Sequence, residues 1–463
     1  MYSIILKNVE NKYDYSELIK IFLRPEEFHA YTEREYADKE PSEEDTELLL
    51  FNEALSEDKN EIKREIYRKL SRLTGKAPEW GILTGVRPVK LTGEIFEKLG
   101  NEQAVRNELA NKYLLKDAKI DLLTETYLYQ QEKCGKPARN SVGIYIGIPF
   151  CPTRCLYCSF TSNQVGNEEI ARYLEALKTE IAYVGRQMRE TGLLTESIYI
   201  GGGTPTTLTA EQLDDLLRTV KENIDLNSVK EFTVEAGRPD TITIEKLEVI
   251  KKHNVERISI NPQSMKESTL ALIGRSHSPK DITDAFKKAD EVGISVVNAD
   301  LITGLPGETP EDFANTLDEI IALGPKNITV HTLAVKRASR LVEVDKDFHY
   351  KQAETVSEML KIAKDKLKAA GFRPYYLYRQ KHMAGAFENV GYCKKDTPSI
   401  YNIRIMEEKQ TILALGAGGI SKMYYPEENR LERVPNVSNY EIYISRLEEM
   451  LDRKEQNIFK EVK

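Results

Sequence analysis

Between residues 142 and 333, short apolar β-type runs alternate with longer amphipathic stretches of helical period. The β-type runs cover 142–148, 197–200, 231–235, 256–261, 295–301 and 328–333, and the helical stretches cover 168–191, 210–223, 243–253, 280–292 and 310–323. Strands that alternate with helices form parallel βα units, because each helix returns the chain to the same edge of the sheet. Six units predict an open doubly wound sheet or a barrel, and in both folds the functional loops follow the carboxyl ends of the strands.

Three cysteines lie in the loop that follows the first of these strands. Residues 145–160 contain Cys151, Cys155 and Cys158 in a C-x3-C-x2-C spacing. Three thiolates in one loop form a soft ligand set that suits iron–sulfur clusters or zinc. Structural zinc needs four ligands, and the sequence contains no second C-x2-C or H-x3-H pair. The spacing therefore favours a four-iron cluster with one iron open to another ligand, over zinc or merely packed thiols.

Glycines and polar residues follow the next strands. Residues 201–206 are Gly-Gly-Gly-Thr-Pro-Thr, Glu235 lies in the third β-type run, Gln263 ends the fourth and Asp300 lies at the end of the fifth. The glycine run matches neither the dinucleotide fingerprint nor the phosphate-binding loop. It predicts a plain turn, or a backbone that approaches a ligand closely because glycine has no side chain. Since the carboxyl ends of parallel strands share one edge, these residues and the cysteine loop are predicted to face one another.

Composition and charge narrow the class of protein. The chain has 463 residues, a net charge of −8 and a sequence pI of about 5.6, which argues against a nucleic-acid partner because phosphate binding needs a basic surface. No apolar run reaches membrane-spanning length and the N-terminus lacks a signal-peptide pattern, so a cytoplasmic location is expected. Five cysteines in so long a chain predict no disulfide framework.

Two further segments flank the alternating region. The predicted division has three parts. Residues 1–140 form an N-terminal accessory region of α+β or helical structure, and residues 141–345 form the βα units. Residues 346–463 form a C-terminal α+β module packed against the barrel opening. The first segment includes a compact glycine-rich stretch, Trp80-Gly-Ile-Leu-Thr-Gly-Val-Arg-Pro88, and the last includes a predicted final helix at 438–454. Cys134 is interpreted as a free thiol, with a fourth cluster ligand as the alternative.

Several motifs carry a family resemblance. They are Tyr-Ile-x-Ile-Pro-Phe-Cys, Gly-Gly-Gly-Thr-Pro-Thr, a Glu in the third strand, Pro-Gln-Ser, Ile-Gly-Arg-x-His and Asp-Leu-Ile-x-Gly-Leu-Pro-Gly-Glu-Thr. Together they resemble the radical S-adenosylmethionine (SAM) superfamily, and within it the HemN/HemW/HemZ group of oxygen-independent coproporphyrinogen III dehydrogenases and relatives, the HemZ branch above all. The resemblance is strong over 141–345 and looser over 346–440. It implies a partial (β/α)6 TIM-type barrel with an α+β N-terminal region and an α+β C-terminal HemN-like module.

The resemblance also implies two cofactors and the residues that hold them. In the superfamily, SAM binds the open iron of a [4Fe–4S] cluster, and one electron from the reduced cluster splits SAM to give a 5′-deoxyadenosyl radical. The implied cluster ligands, which are the metal-binding and catalytic residues, are Cys151, Cys155 and Cys158. The implied SAM contacts are Tyr145, Tyr157, Gly202, Gly203, Thr204, Glu235, Gln263, Arg275, Asp300, Ala334 and Ile420. A cation at Arg275 suits the SAM carboxylate, whereas a structural ion pair is the alternative for each polar residue taken singly.

The implied activity is oxidative decarboxylation of two propionates of coproporphyrinogen III to vinyl groups, which gives protoporphyrinogen IX in heme biosynthesis. It requires an electron donor of flavodoxin or ferredoxin type and an electron acceptor. One departure concerns Ser159 and Phe160, which follow Cys158 where the HemN branch has a further cysteine, and Phe160 is more like the HemW branch. A HemW-type heme chaperone is therefore the alternative, and other radical chemistry on a tetrapyrrole is a third possibility.

A substrate with four propionates needs cations around an apolar, aromatic floor. The candidate cations in the sequence are Lys336, Arg337, Arg340, Arg379, Lys381 and Arg404. For each of them, a solvated surface charge is the favoured explanation. His382 is the one histidine of the polar, aromatic stretch 375–401, and a lone histidine is more often structural than a heme ligand.

Overall fold

The computed structural model contains two β-sheets surrounded by helices. It describes residues 1–7, 9, 11–38, 47–52, 60–159, 162–335, 339–341, 352–380 and 387–462, with the backbone alone for 47–52 and 462. The strands are β1 (Tyr2–Lys7), β2 (Phe28–Thr32), β3 (Glu47–Asn52), β4 (Ser141–Ile148), β5 (Leu194–Gly202), β6 (Glu231–Glu235), β7 (Arg257–Gln263), β8 (Val296–Thr303), β9 (Asn327–Thr332), β10 (Arg373–Arg379), β11 (Glu388–Cys393), β12 (Thr411–Leu415), β13 (Ile420–Tyr425) and β14 (Arg430–Pro435).

The described helices flank these strands. The first six precede the large sheet and are α1 (Tyr13–Ile19), α2 (Glu33–Ala37), α3 (Asn60–Thr74), α4 (Pro88–Leu99), α5 (Glu102–Tyr113) and α6 (Asp117–Lys133). The rest are α7 (Asn167–Thr191), α8 (Ala210–Asn223), α9 (Ile244–Lys252), α10 (Glu267–Leu272), α11 (Pro279–Val292), α12 (Pro310–Ala322), α13 (Ala353–Ala369), α14 (Ile400–Glu407), α15 (Tyr440–Ser445) and α16 (Leu447–Lys454). A short π-helical turn (Glu455–Phe459) and a three-residue helix follow α16.

The larger sheet contains the six parallel βα units. Its strand order is β10-β11-β9-β8-β7-β6-β5-β4-β12-β13-β14, and β4 to β9 pair in parallel in chain order. The edge strands β10 and β14 do not pair with each other, so the sheet does not close. The predicted partial six-stranded barrel is confirmed, and each of the six predicted strands overlaps the observed one.

C-terminal strands extend both edges of the parallel core. β12 pairs in parallel with β4, and β11 pairs antiparallel with β9. The C-terminal segment therefore shares the barrel's sheet, and the division at 140 and 345 stays a prediction. The predicted helix at 438–454 is two helices, because Arg446 leaves the helical region of backbone space with φ −118° and ψ 29°.

The main core lies between the parallel strands and their helices. Inner strands that are covered on both faces are apolar at nearly every position. Ile144, Ile146 and Ile148 of β4 and Ile198 and Ile200 of β5 are accordingly all fully buried. These strands hold the loops of the site on a rigid base.

The N-terminal region contributes to two separate cores. In the small sheet, β1 pairs in parallel with β2 and β3, and Ile4 and Leu6 pack with Ile66 of α3 in a core of their own. In contrast, α4 and α6 pack against the large sheet, α5 packs on both helices, and Val105 and Leu123 join the main core. No helix among the described residues is both long and apolar enough to cross a bilayer.

Candidate active site

The cysteine loop is held by backbone hydrogen bonds from neighbouring loops. Gly203 donates its backbone N–H to the Ile148 carbonyl at 2.8 Å, and Thr204 donates to the Phe150 carbonyl at 2.7 Å. On the other side, Leu156 donates to the Ile273 carbonyl at the end of α10, at 2.9 Å. The loop after β5 and the end of α10 therefore fix the cysteines at the carboxyl ends of the strands, as the sequence predicts.

None of the three loop cysteines forms a disulfide, and an arginine beside one of them favours the thiolate form. Cys155 is buried, and Cys151 lies with its Sγ 3.4 Å from Thr204 Oγ1. Burial raises the pKa of the Cys151 thiol, so a cluster must displace the proton when it binds. An Arg238 guanidinium nitrogen lies 3.8 Å from Cys155 Sγ, within reach of a weak hydrogen bond to sulfur. Arg238 is a contact that the sequence analysis did not identify.

The arrangement of the cysteines does not suit a single metal ion. Within the described ranges, no three Cys, His, Asp or Glu side chains are close enough to hold one ion. Zinc at about 2.3 Å from each sulfur needs converging ligands, whereas each cysteine of a four-iron cluster binds a different iron. The three thiols therefore fit a cluster better than the zinc alternative.

The other two cysteines lie at the opposite end of the sheet. Cys393 is the last residue of β11 and pairs with Asn327, the first residue of β9. The Cys134 carbonyl accepts a hydrogen bond from Arg404, which also binds Glu196 near the start of β5. The eight residues of β4 span about 26 Å, so neither thiol reaches the cysteine loop. The interpretation of Cys134 as a free thiol fits this distance.

The glycine run after β5 leaves no space for side chains. Gly202 has a φ of +114°, which disfavours any residue with a Cβ. A Cβ at Gly203 would lie 2.5 Å from the Phe150 carbonyl oxygen and 3.0 Å from Cys151 Sγ. At Gly201 it would lie 2.9 Å from the Glu235 carboxyl group. The run therefore brings bare backbone directly against the cysteine loop and β6.

Glu235 is the last residue of β6 and is half-buried, with the Asp300 carboxylate nearby. Its carboxylate accepts hydrogen bonds from the Tyr199 hydroxyl and from the Gly202 backbone N–H, the latter at 3.2 Å. Burial raises the pKa of Glu235 to about 7, although the Tyr199 hydrogen bond opposes the increase. Glu235 is therefore poised to change protonation state near neutral pH, or to accept hydrogen bonds from a bound ligand.

Gln263 and Arg275 have buried polar atoms with no hydrogen-bond partner in the described parts of the chain. The Gln263 backbone has a φ of +69°, and its side-chain Oε1 is buried and unbonded. Arg275 donates to the Tyr157 hydroxyl at 2.8 Å, while its buried Nε remains unbonded. Buried polar groups are normally paired, so these atoms indicate a polar ligand. On β7, Asn261 Oδ1 and Ser259 Oγ are unbonded in the same way, and the sequence analysis missed them.

Asp300 lies in β8 and remains ionised. Asn298 donates to Asp300 Oδ1 at 2.8 Å, and His331 Nε2 lies 3.7 Å from Oδ2. Burial acts to raise the pKa of Asp300, but the nearby His331 and the hydrogen bond from Asn298 lower it below its usual value. The strand continues to Thr303, so Asp300 precedes the strand end by three residues instead of ending it.

Ala334 and Ile420 lie at the two sides of the site. Ala334 is half-buried and follows the last residue of β9 by two positions. Ile420 begins β13 and is 48% exposed. The strand register places Ile420 across from Ala414, which pairs with Tyr145, so Ile420 and Tyr145 share one face of the sheet. An exposed isoleucine on this face is available to a ligand.

Three tyrosines stack on the inner face of the barrel. The rings of Tyr199 and Tyr401 have centroids 4.6 Å apart, and Tyr145 lies 6.3 Å from each. The sequence analysis missed Tyr199 and Tyr401. Tyr199 alternates with Ile198 and Ile200 along β5, which signals an inward-facing residue, whereas Tyr401 enters from α14 and had no such signal.

Two of the cations that the sequence suggested for substrate binding are buried, and neither lies at this site. Arg404 is bound to Glu196 at the amino-terminal end of the sheet, and Arg379 stacks on Trp80 with centroid distance 4.7 Å and donates to the Leu83 carbonyl. Arg340 is exposed. The other predicted positions lie outside the described residues, namely Phe160, Lys336, Arg337, Lys381 and His382.

Comparison with known proteins identifies the family. The radical SAM superfamily profile matches residues 145–320. The oxygen-independent coproporphyrinogen-III oxidase-like protein HemZ of Bacillus subtilis is 39% identical over 409 residues, which cover 87% of this chain and 81% of that protein. The chain belongs to the HemZ family of radical SAM proteins. Its cofactors are accordingly a [4Fe–4S] cluster and SAM.

Other relatives share the radical SAM region. The heme chaperone HemW of Bacillus subtilis is 34% identical over 237 residues, covering 50% of this chain and 61% of that protein. Among solved structures, coproporphyrinogen III oxidase (HemN) from Escherichia coli aligns with a TM-score of 0.53 and 23% identity, over 71% of this chain and 73% of that one. This structural likeness supports the partial barrel fold of this HemZ family protein.

Proposed function

We propose that the protein catalyses oxidative decarboxylation of two propionate side chains of coproporphyrinogen III to vinyl groups. One observation carries the proposal, namely that the cysteine loop faces Gly203, Glu235 and Arg275. The chain that contains this site is 39% identical to a coproporphyrinogen-III oxidase-like protein over 87% of its length. The likeness to HemZ suggests the substrate class, and the site supports radical chemistry. A cytoplasmic location and an electron donor of flavodoxin or ferredoxin type belong to the same proposal.

The cofactor residues are part of the proposal. Cys151, Cys155 and Cys158 would hold the cluster, since three free thiols share one fixed loop. When bound, the cluster and SAM would supply radical abstraction of a hydrogen atom from a substrate propionate. The bare backbone of Gly202 and Gly203 lets a ligand approach next to Cys151, which a side chain would prevent.

The polar residues would orient SAM. Arg275 has an unused buried donor and would pair with the SAM carboxylate. Gln263 has an unused acceptor, and Asp300 is held ionised, so both would accept hydrogen bonds from ribose hydroxyls. Tyr157 would support this arrangement through its hydrogen bond with Arg275, and Thr204 would do so through Cys151. Ala334 and Ile420 would flank the nucleoside as apolar walls.

The stacked tyrosines would form the floor for the tetrapyrrole. Tyr145, Tyr199 and Tyr401 are nearly parallel, with interplanar angles of 17° to 22°. The outer ring face of such a stack offers an aromatic surface to a macrocycle and excludes water from a reactive carbon centre. Their position beside Glu235 places this floor close to the cysteine loop.

A second candidate function is that of a heme chaperone. It is favoured by the 34% identity to HemW over the radical SAM region and by Phe160, which resembles that branch. A chaperone would bind heme tightly and form no vinyl product.

Anaerobic turnover separates the two functions. The reconstituted protein is incubated with SAM, a reductant, an electron acceptor and coproporphyrinogen III, and products are measured by mass spectrometry. We expect vinyl-containing product together with 5′-deoxyadenosine. Stoichiometric heme binding with no vinyl product would contradict the dehydrogenase and support the chaperone.

The cluster assignment has its own test. Cys155→Ala is expected to abolish the brown absorbance of the reconstituted cluster and SAM cleavage, because the remaining two thiolates cannot replace the third ligand. Cys134→Ala and Cys393→Ala serve as controls and should retain both, since those thiols lie at the other end of the sheet. Equal loss of the cluster in a control variant would show that the ligand set is wrong.

A further inference from the structure

Four cations surround one carboxylate beside the open edge of the barrel. The Glu408 carboxylate lies 3.9 Å from Arg87, 3.5 Å from Lys90, 3.4 Å from Lys422 and 3.8 Å from Arg433. In the part of the chain that the structure describes, none of the four forms an ion pair with any other carboxylate. Four positive charges against one negative charge leave a local excess of three. We call this group the Glu408 cation cluster.

The Glu408 cation cluster is only partly exposed, and besides Glu408 the Lys422 ammonium donates to the Ile405 carbonyl at 3.2 Å. The exposed fractions of the side chains are 23% for Arg87, 20% for Lys90 and 12% for Lys422, while Arg433 is 61% exposed. Arg87 Nε is buried and makes no hydrogen bond to a described residue. Burial lowers the pKa of both Arg87 and Lys422, and Glu408 only partly offsets this. Gathering like charges in a partly desolvated place destabilises the protein unless an anion binds there.

The strand register places the cluster on the inner face of the barrel. Gly143 pairs with Ile412, Ile412 pairs with Lys422, and Lys422 pairs with Arg433. Paired residues point to the same face of a sheet, and so do residues two apart in one strand. Lys422 and Arg433 therefore lie on the face that carries Tyr145 and its tyrosine stack. At about 4.8 Å per strand, Lys422 is about 10 Å across the sheet from β4, level with Gly143 and two residues nearer the amino end of β4 than Tyr145.

The glycine-rich stretch of the N-terminal region brings the remaining two cations to this face. Trp80 donates its indole N–H to Glu388 of β11 at 2.7 Å, and the Arg379 backbone N–H donates to the Val86 carbonyl at 3.0 Å. Pro88 then starts α4, which carries Lys90 and packs against β10 and α14. The first turn of α4 has no acidic residue and no side-chain cap, so its N-terminus adds to the positive field.

We propose that the Glu408 cation cluster binds carboxylates of the substrate that do not react. The inference rests on the proposed function for its ligand class, which is a flat macrocycle carrying several carboxylates. An aromatic floor and a separate cation group on one face match such a ligand, because the floor takes the ring and the cations take its peripheral carboxylates. It also gives residues 80–90 a role in substrate binding.

The test measures binding of coproporphyrin III, the air-stable tetracarboxylate porphyrin, to the reconstituted protein. The variant is Arg87→Gln/Lys422→Gln, and binding is followed by porphyrin fluorescence anisotropy. Loss of two charge-assisted contacts is expected to weaken binding by about tenfold or more. For mesoporphyrin IX, which has two carboxylates, the loss should be smaller. Arg87→Lys should recover part of the affinity.

A matched control removes two exposed charges elsewhere. Arg218→Gln/Lys280→Gln changes side chains that are 55% and 82% exposed on outer helices. This control should bind coproporphyrin III within about twofold of the wild type, since exposed charges are screened. Unchanged affinity in the Arg87/Lys422 variant would overturn the inference. An equal loss in the control would also overturn it, because the attraction would then be nonspecific.

Turnover separates this inference from the proposed function. Both variants should retain the absorbance of the iron–sulfur cluster, which would show that they fold. If the wild type and the Arg87/Lys422 variant both form vinyl product with the same KM, the Glu408 cation cluster does not bind substrate carboxylates. The proposed decarboxylation is then still supported. If charge-dependent porphyrin binding occurs but no vinyl product forms, the proposed reaction is wrong and the site stands.

Discussion

Gly203 occupies a position where the chain leaves no room for a side chain. We expect Gly203→Ala to displace the cysteine loop, because its Cβ would lie 2.5 Å from the Phe150 carbonyl oxygen and 3.0 Å from Cys151 Sγ. Iron content and cluster absorbance after reconstitution should fall by more than half, while the far-UV circular dichroism stays close to wild type. Gly166→Ala is the control, since its Cβ would meet only the flexible Glu169 carboxylate, at 3.2 Å. A full cluster in Gly203→Ala would contradict the expectation.

Glu235 makes the stability of the cluster-free protein depend on pH. Its pKa is about 7, above the usual value of about 4.3 for a glutamate in the unfolded chain. Between these values the folded protein holds a proton that the unfolded chain has released, so stability falls as pH rises through this window. Glu235→Gln removes this effect. From pH 5 to 8, wild type should lose up to about 3 kcal/mol relative to the variant.

The measurement is urea unfolding of both proteins across this pH range. The difference between wild type and variant isolates Glu235, because Glu308, whose pKa burial also raises to about 7, is present in both. Parallel stability curves for the two proteins would show that Glu235 is ionised throughout the range.

At the scale of elements, a buried ion pair joins α16 to α7 and to the turn before β13. Lys454 and Glu180 are both fully buried, with their charged atoms 2.7 Å apart. Glu180 also accepts hydrogen bonds from the Tyr443 hydroxyl at 2.6 Å and from the Gly416 backbone N–H at 2.7 Å. The pair therefore fixes the glycine turn that leads to Ile420.

Lys454→Met leaves the Glu180 carboxylate buried without its cation. We expect a loss of about 3–5 kcal/mol in the free energy of unfolding, measured by chemical denaturation. Adding Glu180→Gln should recover part of it, because the amide keeps an acceptor but carries no charge. Lys280→Met removes the cation of an exposed pair with Asp284 and should change stability by less than about 0.5 kcal/mol. Similar effects of the two lysine changes would argue against the buried pair.

For the whole molecule, Glu388 connects the N-terminal region to the barrel. Its carboxylate accepts hydrogen bonds from the Trp80 indole and the Lys119 ammonium, and both Lys119 and Glu388 are almost fully buried. Glu388→Gln should destabilise the protein by about 3 kcal/mol, because it leaves Lys119 with only the half-exposed Glu79 as a partner.

The effect of Glu388→Gln can be followed at one site. Trp80 is the single tryptophan of the chain, so its emission reports on this contact. Its shift to longer wavelength should occur at a lower urea concentration in the variant than in wild type. Glu79→Gln, at a carboxylate that is 45% exposed, should change the midpoint little. A midpoint unchanged by Glu388→Gln would mean that the N-terminal region is held by other contacts.

The sequence by itself determined the parallel core and the position of the cysteine loop. Period-2 and period-3.6 patterns are local and persist over whole elements, so β6 and α8 were predicted with the observed bounds. The cysteine spacing and the motifs indicated the family, and the comparisons confirmed it. Such features need no knowledge of distant residues.

The tertiary structure alone decided which distant side chains meet. Tyr401 joins the tyrosine stack from α14, and Arg87 meets Lys422 across 335 positions of sequence. It also removed Arg404 and Arg379 from the substrate candidates, because each is bound to buried partners. Long-range pairing depends on strand order and register, which no local pattern encodes. The cysteine loop could therefore be found from the sequence, but the Glu408 cation cluster could not.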